Sequence, residues 1–411
     1  MPEKAEKWAM VTLPDSFRMV DLDKKIGENH KKGLDFFAGM MYTHLVSETG
    51  LAAKGRCTAK DAIGGAMEGG TTVAVTIKDV SAKCGLSIST VSKAFNNYAD
   101  ISAETRELVH RTAREIGYYP NAIARTLKTN RSYNLGVLFQ EERGTGLTHS
   151  FFASVLEAFK SECEKRGYDI TFINHNIGWT GMTYLEHCRY RNVDGVCVVC
   201  ANFYAPEVVE LVASDIPVVT IDHAFSNRSC VLSENIEGMK SLVAHAAALG
   251  HRRIAYVHGE HASVTENRIT GFYRGLSEQG IEPVPEYLVE AVYDSPQAGA
   301  EAVKKLMALP MPPTCILMPD DHSALGALDA AAKLGLRVPE DVSIGGYDGS
   351  RITQMTHPRI TTVVQDAKRM GQQAALYLID RIENPRTAGS ETGLVPTKLL
   401  PGESIGPLNR D

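Results

Sequence analysis

The sequence predicts a small all-helical module followed by a large α/β region that folds as two lobes. The chain has 411 residues, which is more than one hydrophobic core usually organises. Residues 75–134 show short amphipathic segments separated by turn residues, which is typical of a helical bundle. After Tyr133, apolar strand-like runs alternate with helical stretches over more residues than one parallel sheet comfortably holds.

The bulk composition is that of an ordinary globular protein, with 44% hydrophobic and 22% charged residues. No apolar run approaches the roughly 20 residues that a membrane-spanning helix needs. Pro14 and charges of both signs stand where a secretory signal requires an apolar core. We therefore expect a cytoplasmic protein that has no membrane partner.

The eight cysteines are scattered without the spacing of a disulfide framework, which is typical of a reducing compartment. Cys197 and Cys200 form a C-x-x-C, but it lies in a predicted strand, where residues three apart point to opposite faces. No second Cys or His pair follows nearby to complete a metal site. We expect free thiols, and we assign neither a metal nor a cofactor.

Residues 1–70 show neither amphipathic rhythm nor strand alternation, and they end in the glycine-rich stretch GGAMEGG. They are interpreted as a poorly ordered extension, or as sequence upstream of the true start, because Met67 lies close to the first organised segment. A functional domain is the alternative. We assign this segment no role.

Three short helices are predicted in residues 75–120. Serine N-caps precede the second and third, and glycine follows the first and third, where left-handed backbone is favoured. The second helix has apolar positions on one face only, so its polar face stays available for another molecule. Residues 71–134 also carry a net charge of about +4 on a chain whose net charge is −6. The predicted helices are Ile77–Cys84, Ile88–Phe95 and the stretch between Ser102 and Gly117.

The large region reads as buried strands alternating with helices, which implies parallel sheets covered on both faces. Its length predicts two similar lobes with a cleft between them. The predicted strands are 135–139, 169–173, 195–199, 217–221, 253–257, 314–318 and 342–347, and the main helices are 152–166, 235–250, 267–280, 298–309 and 323–335.

The run VTIKDVSAKCGLSISTVSKAFNNYADISAETRELVHRTAREIGYYPNAIARTLKTNRSYNLGVLF resembles the N-terminal half of the lactose/galactose repressor (LacI/GalR) family. The likeness continues through NRITGF, MPDDHSALGALDAA, VPEDVSIGGYDG and LLPGESIGP. It implies a helix-turn-helix DNA-binding domain at 75–120, a hinge helix and linker at 121–134, and a two-lobed periplasmic-binding-protein-like domain for effector binding and dimerisation at 135–411.

The resemblance implies a transcriptional repressor that binds double-stranded operator DNA as a homodimer in the cytoplasm, on the nucleoid. A small-molecule effector, a sugar or sugar acid, would control its operator affinity by changing lobe closure and thereby the order of the hinge helices. On family frequency, we expect the effector to release DNA. No leucine-heptad tail follows the last motif, so a coiled-coil tetramer is not supported.

In the family, the second helix of the motif reads the major groove. The matching positions here are Ile88, Ser89 and Lys93 for base edges, with Thr90 and Ser92 for phosphates. Two alternatives stay open, because Ile88 could instead pack on the helical core and Lys93 could be a solvated charge.

The segment NAIARTLK, Asn121–Lys128, resembles the family's hinge helix and is too short to be stable alone. Leu127 would be the wedge inserted into the minor groove, with Ala124 packed beside it. Lys128 and Arg131 would neutralise phosphates. The alternative is a linker whose Leu127 packs on the large domain.

For the effector, the resemblance points to an arginine, several strand-end acids and two aromatic residues in the cleft. Alternatives remain: Arg268 and Asp348 could simply pair, and Asp320 and Asp321 could cap a helix. Two helical neighbours, Phe151 and Phe152, should not both face inward. The candidates are Phe151, Phe152, Asp222, Arg268, Asp321 and Asp348.

The pocket departs from the family pattern at two places. His223 stands where an arginine commonly follows the strand-end aspartate, and the PDD of MPDD replaces an asparagine-aspartate pair. If Arg268 binds a carboxylate of the ligand, the effector is a sugar acid. If the ligand offers only hydroxyl groups, the effector is a neutral sugar.

The sequence argues against two other classes of protein. A transport solute-binding protein would share the two lobes but would need a signal peptide and no basic helix-turn-helix. An enzyme would need a catalytic motif, yet G-x-x-x-x-G-K-[ST], G-x-S-x-G and H-E-x-x-H are all absent from the sequence. We therefore expect a regulator and not an enzyme.

Overall fold

The computed structural model describes residues 75–120, 126, 131–140, 146–177 and 180–408. The predicted N-terminal extension and nearly all of the predicted hinge helix lie outside these residues. Among the helices that are described, none is long and apolar enough to cross a membrane.

Three helices follow one another at the predicted positions: α1 (Ile77–Cys84), α2 (Ile88–Phe95) and α3 (Ala103–Ile116). The side chains of Ser87 and Ser102 accept hydrogen bonds from backbone N–H groups in the first turns of α2 and α3. These caps and the spacing of the apolar positions explain why so short a segment forms three separate helices.

Strands and helices alternate after residue 131. The strands are β1 (Asn134–Phe139), β2 (Asp169–Phe172), β3 (Asn176–Ile177), β4 (Thr180–Gly181), β5 (Gly195–Cys200), β6 (Val218–Ile221), β7 (Ser229–Ser233), β8 (Ile254–His258), β9 (Leu288–Glu290), β10 (Cys315–Leu317), β11 (Ser343–Gly345), β12 (Thr362–Gln365), β13 (Thr392–Val395) and β14 (Thr397–Leu400). The helices are α4 (Ser150–Lys165), α5 (Tyr184–Arg191), α6 (Pro206–Ala213), α7 (Asn235–Ala248), α8 (Ser263–Glu278), α9 (Pro296–Met307), α10 (Asp321–Lys333) and α11 (Ala367–Glu383).

The first lobe is built on a six-stranded parallel sheet in the order β13-β7-β6-β5-β1-β2. Helices α4 and α11 cover one face of this sheet with apolar side chains, and α5 and α6 cover the other. Burial on both faces explains why its central strands, such as the fully apolar β5, read as continuous hydrophobic runs.

The second lobe is built on a four-stranded parallel sheet in the order β11-β10-β8-β9. Helices α9 and α10 pack on one face, and α7 and α8 pack on the other. The antiparallel pair β12 and β14 completes this lobe. The two-lobed α/β architecture predicted from the sequence is confirmed.

The chain does not finish one lobe before it starts the other. It leaves the first lobe between β7 and α7, returns between β12 and α11, and leaves again between β13 and β14. The sequence pattern did not predict these crossings, because strands and helices have the same local pattern in either lobe. The cysteines of the described part of the chain are all free, as predicted.

Candidate functional sites

A cavity of about 700 Å³ lies between the two lobes, at the carboxyl ends of their parallel strands. The first lobe contributes residues that follow β1, β5 and β6, together with the first turn of α4. The second lobe contributes residues after β8 and β11, the N-terminal half of α8, and the end of β12. This is where doubly wound folds place ligands.

Arg268 on α8 is the buried anchor of the second-lobe wall, with 3% of its surface exposed. Its Nε donates to Asn235 Oδ1 at 2.8 Å, and its Nη1 donates to the Pro319 carbonyl at 2.7 Å. The guanidinium carbon also lies 3.7 Å from the centre of the Tyr347 ring. Arg268 is therefore held in one orientation before any ligand arrives.

Asp348 stands beside this arginine, with 3.6 Å between its Oδ1 and Arg268 Nη2. The two residues pair as the alternative interpretation supposed, but both also line the cavity. Gln365 Nε2 donates to the same carboxylate oxygen at 2.7 Å. Asp348 has a backbone φ of 104°, which residues other than glycine rarely adopt. The backbone is therefore strained at the residue whose carboxylate lines the cavity. Burial raises the pKa of Asp348 to about 6.

Asp222 follows β6 and reaches the cavity from the first lobe. Its φ is 55°, and its Oδ1 accepts a hydrogen bond from the Ser233 backbone N–H at 2.7 Å. Burial raises the pKa of Asp222 to about 6. The two lobes thus each present a strand-end carboxylate to the same space.

Asp321, a predicted effector residue, does not line the cavity. Its buried carboxylate instead accepts hydrogen bonds from Thr362 Oγ1 and the Ser350 backbone N–H, each at 2.6 Å. Its neighbour Asp320 lines the cavity and is the N-cap of α10, where its Oδ1 accepts from Ser323 N at 2.7 Å. Successive residues at a helix start point about 100° apart, so only one of the two faces the cleft.

Phe151 and Phe152 both line the cavity, contrary to the expectation that they would not both face inward. Their ring centroids are 5.3 Å apart. Phe151 is buried in the core of the first lobe, and Phe152 is half-buried against Phe139 and His149. They can share one opening because they occupy the first turn of α4, whose end, and not its side, faces the cleft.

Sequence reasoning missed an aromatic group at the mouth of the cavity. The ring of His223 stacks on Phe203 at 4.5 Å between centroids and 4° between planes. Tyr204 stacks on His261 of the second lobe at 5.6 Å. The only sequence signal was the departure from the family pattern at His223. Apart from that departure, the sequence gives no signal that aromatic residues from different loops meet in the folded protein.

Two polar atoms that line or border the cavity have no hydrogen-bond partner among the described residues. They are His149 Nδ1 and Gln365 Oε1, and both are buried. Buried polar atoms are normally paired in folded proteins. Their presence in this cavity fits a ligand that offers hydrogen-bonding groups.

On α2, the predicted DNA-contacting residues lie along an accessible face. Ile88 is 46% exposed, which excludes the alternative that it packs on the helical core. Ser89 is exposed, and Lys93 forms an ion pair with Asp100. Thr90 Oγ1 lies 2.8 Å from the Ser87 hydroxyl at the helix cap, and Ser92 is half-buried. The predicted hinge residues Ala124, Leu127 and Lys128 lie outside the described residues.

Two family models match the chain. Residues 76–121 match the bacterial regulatory proteins of the lacI family, and residues 243–405 match a periplasmic binding protein-like domain. The HTH-type transcriptional repressor PurR of Erwinia tasmaniensis is 33% identical over 332 residues, which cover 79% of this chain and 95% of that protein. PurR of Pectobacterium carotovorum is 32% identical over 331 residues, with the same coverage.

Solved structures agree with these sequence matches. The lac repressor dimer bound to operator and the anti-inducer ONPF has a TM-score of 0.67 and 25% identity, and the match covers 81% of this chain and 99% of that one. The complex of the transcriptional regulator CelR with cellobiose has a TM-score of 0.58 and 26% identity, covering 80% and 99%.

A helix-turn-helix with an accessible polar face, joined to a two-lobed domain with an interlobe cavity, defines a ligand-responsive DNA-binding regulator. This chain belongs to the LacI family of bacterial transcriptional regulators. It is a DNA-binding repressor of that type, controlled by a small-molecule effector.

Proposed function

We propose that the effector of this repressor is a neutral sugar bound in the interlobe cavity, and that its binding releases a pseudo-palindromic operator. The chain acts in the cytoplasm by binding, not by catalysis. The observation that carries the proposal is the composition of the cavity wall, where aromatic rings lie beside several carboxylates and an arginine that already has partners.

The charges of the cavity favour a neutral ligand over a sugar acid. Four carboxylates line it, and Arg268 is the one lysine or arginine among the described lining residues. Part of its donor capacity is already directed to Asn235, Pro319 and Asp348. A ligand carboxylate would add a like charge to a partly desolvated acidic site, which is unfavourable. The four acids are Asp222, Glu260, Asp320 and Asp348.

The same wall suits the two kinds of surface on a sugar ring. The rings of Phe151, Phe152 and Tyr204 offer flat apolar surface for its C–H faces. Carboxylates accept hydrogen bonds from hydroxyl groups, and the remaining N–H groups of Arg268 can donate to ring or hydroxyl oxygens. Ligand pockets commonly combine a mostly apolar wall with a few directed polar groups.

On the DNA side, we propose that α2 enters the major groove with Ile88, Ser89 and Lys93 at base edges. Thr90 and Ser92 then lie close to phosphates. The exposure of Ile88 and Ser89 supports this assignment. For the hinge, we propose that Ala124 and Leu127 enter the minor groove while Lys128 contacts a phosphate, on the family resemblance.

A thermal-shift screen of the full chain tests the ligand class. Neutral sugars, sugar acids and purine bases are compared, since a ligand at 100 times its Kd adds about 2.7 kcal/mol of stability. We expect a neutral sugar to raise the Tm, and Asp348→Asn or Phe152→Ala to abolish the shift. Arg274→Ala, an exposed position on the same helix as Arg268, should retain it.

Each other outcome contradicts a defined part of the proposal. Stabilisation by sugar acids or purine bases alone would overturn the neutral-sugar assignment but keep the cavity as the site. A sugar-induced shift that survives both cavity variants would place the site elsewhere. The direction of control is read from fluorescence anisotropy with an operator duplex selected from a random pool, because a sugar that tightens DNA binding would exclude induction.

A further inference from the structure

Helix α11 connects the effector cavity with the segment that leads to the DNA-binding helices. At its N-terminal end, Gln365 lines the cavity and donates to Asp348, and Asp366 caps the helix by accepting from Arg369 N at 2.9 Å. The helix has 17 residues, which at 1.5 Å per residue span about 25 Å. Its far end therefore lies well away from the cavity.

At that far end, α11 is held by Arg131. Nη2 of Arg131 donates to the Ile382 carbonyl at 3.1 Å and to the Glu383 carbonyl at 3.4 Å. The last carbonyls of a helix have no partner within the helix, and a positive charge there interacts favourably with the helix dipole. Arg131 lies in the predicted linker, three residues after the predicted hinge helix ends at Lys128, so this contact ties the linker exit to α11.

A second set of contacts fixes the same place. The carboxylate of Asp194 accepts from Ser132 N at 2.8 Å, Ser132 Oγ at 2.9 Å and Tyr133 N at 2.8 Å. The next residue, Gly195, begins β5 and packs under α11, where an added Cβ would lie 2.9 Å from methyl groups of Leu378 and Ile382. The linker exit, the start of β5 and the end of α11 thus form one joint.

Helix α11 cannot easily slide on its neighbour. Gly371 packs directly on α4, and a Cβ at this position would lie 2.1 Å from the Val155 carbonyl oxygen. Close packing of this kind transmits displacement instead of absorbing it. The N-terminal turn of α4 carries Phe151 and Phe152 to the cavity, so α4 and α11 both begin at the ligand site.

We propose that Arg131 is the residue that couples the cavity to DNA binding, with α11 as the rigid connection between them. The proposal rests on the proposed function, since it requires that the state of the cavity controls operator affinity. It gives Arg131 a different task from the phosphate contact that the family resemblance implies. Arg131 acts as a positioning residue for the linker through its bonds to the end of α11.

A double-mutant cycle on operator affinity tests this without a known effector. The full chain carries Arg131→Ala, Gln365→Ala or both, and Kd is measured by anisotropy on a duplex that the wild type selects from a random pool. We expect Gln365→Ala to change Kd by about threefold or more, the scale of coupling between distant sites. In the Arg131→Ala background, that change should shrink to less than about 1.5-fold.

Two further variants separate coupling from stability. Arg131→Lys keeps the charge and a donor nitrogen on a shorter side chain that lacks the planar guanidinium, so it should restore the Gln365 effect in part. Arg252→Ala is the matched control, because Arg252 Nη1 donates to the Ala247 carbonyl, 3.0 Å away near the end of α7. It removes the same kind of contact without touching the linker and should leave the Gln365 effect intact. Circular-dichroism melting establishes that each variant is folded.

Three results would overturn the proposal. One is a Gln365→Ala effect of equal size with and without Arg131, and another is a Gln365→Ala protein with wild-type operator affinity. The third combines an additive cycle with a change in salt dependence: the slope of log Kd against log salt concentration is lower by about one for Arg131→Ala than for the wild type. Such a change indicates that Arg131 contacts a phosphate. Failure of the wild type to select any duplex would count against operator binding itself.

Discussion

Nδ1 of His223 lies 2.7 Å from Ser263 Oγ, and this hydrogen bond joins the first lobe to the second across the mouth of the cavity. The imidazole is fixed by stacking on Phe203, and burial lowers the pKa of His223, which favours the neutral ring at pH 7. The position that departs from the family pattern is therefore used here to hold the lobes together.

Breaking this interlobe bond should favour a more open domain. We expect His223→Ala and Ser263→Ala each to lower stability and to increase the radius of gyration measured by small-angle X-ray scattering. One hydrogen bond contributes about 1 kcal/mol, so the double variant should lose less than the two single losses combined. Fully additive losses would show that the two side chains do not interact in solution.

The buried carboxyl of Asp222 predicts a specific pH dependence. Its pKa in the folded protein is raised by burial to about 6, whereas an unfolded chain has a value of about 3.9. The folded state therefore binds the extra proton between these values, and the stability that this proton gives is lost as the pH rises through 6.

Asp222→Asn removes this titration and keeps an oxygen that can accept from Ser233 N–H. We expect wild-type stability to fall relative to the variant by roughly 1.4 kcal/mol between pH 5 and pH 7.5. Urea unfolding of both proteins at the two pH values measures the difference. Parallel stability profiles would mean that Asp222 titrates normally.

Arg268 should not tolerate replacement by lysine. A single ammonium group cannot reach Asn235, Pro319 and Asp348 together, so the buried Asp348 carboxylate loses part of its compensation. We expect Arg268→Lys to lower the free energy of unfolding by about 2–3 kcal/mol. Arg274→Lys on the exposed side of the same helix should change it by less than about 0.5 kcal/mol. Equal effects of the two changes would refute this role.

Gly371 should be intolerant of any side chain because α11 packs on α4 at this point. We expect Gly371→Ala to lower the unfolding free energy by about 1–3 kcal/mol through overpacking against Val155. Gly389→Ala is the control, since an added Cβ there meets nothing within 4 Å. Thermal melts compare the two, and a Gly371 variant as stable as the Gly389 variant would show that the helices separate readily.

On the DNA side, Lys93→Gln should weaken binding to the selected operator by about 1–3 kcal/mol, the scale of a lost base contact. The loss should be concentrated at one base pair, so operators changed at that position should bind the Lys93→Gln protein with little further loss. Lys333→Gln, which changes an exposed lysine paired with Asp329 on α10, should leave binding unchanged. Equal weakening of all duplexes would instead indicate a phosphate contact.

Local sequence patterns were sufficient to predict where these helices and strands lie in the chain. Serine caps, apolar spacing and terminal glycines placed α1 and α2 at their observed bounds. Continuous apolar runs located β1, β5, β6 and β8, because burial on both faces imposes such runs wherever the strand lies. Family resemblance added Arg268, Asp348, Asp222 and the two phenylalanines, which the structure brings to one cavity.

The tertiary structure alone decided which side chains meet. It selected Asp320 over Asp321 because the direction of a side chain at a helix start depends on how that helix packs. It joined His223 to Ser263 and Arg131 to Ile382. The last pair is 251 residues apart in sequence. Periodicity and capping act over a few residues, whereas such contacts depend on the three crossings between lobes, which leave no local signal in the chain.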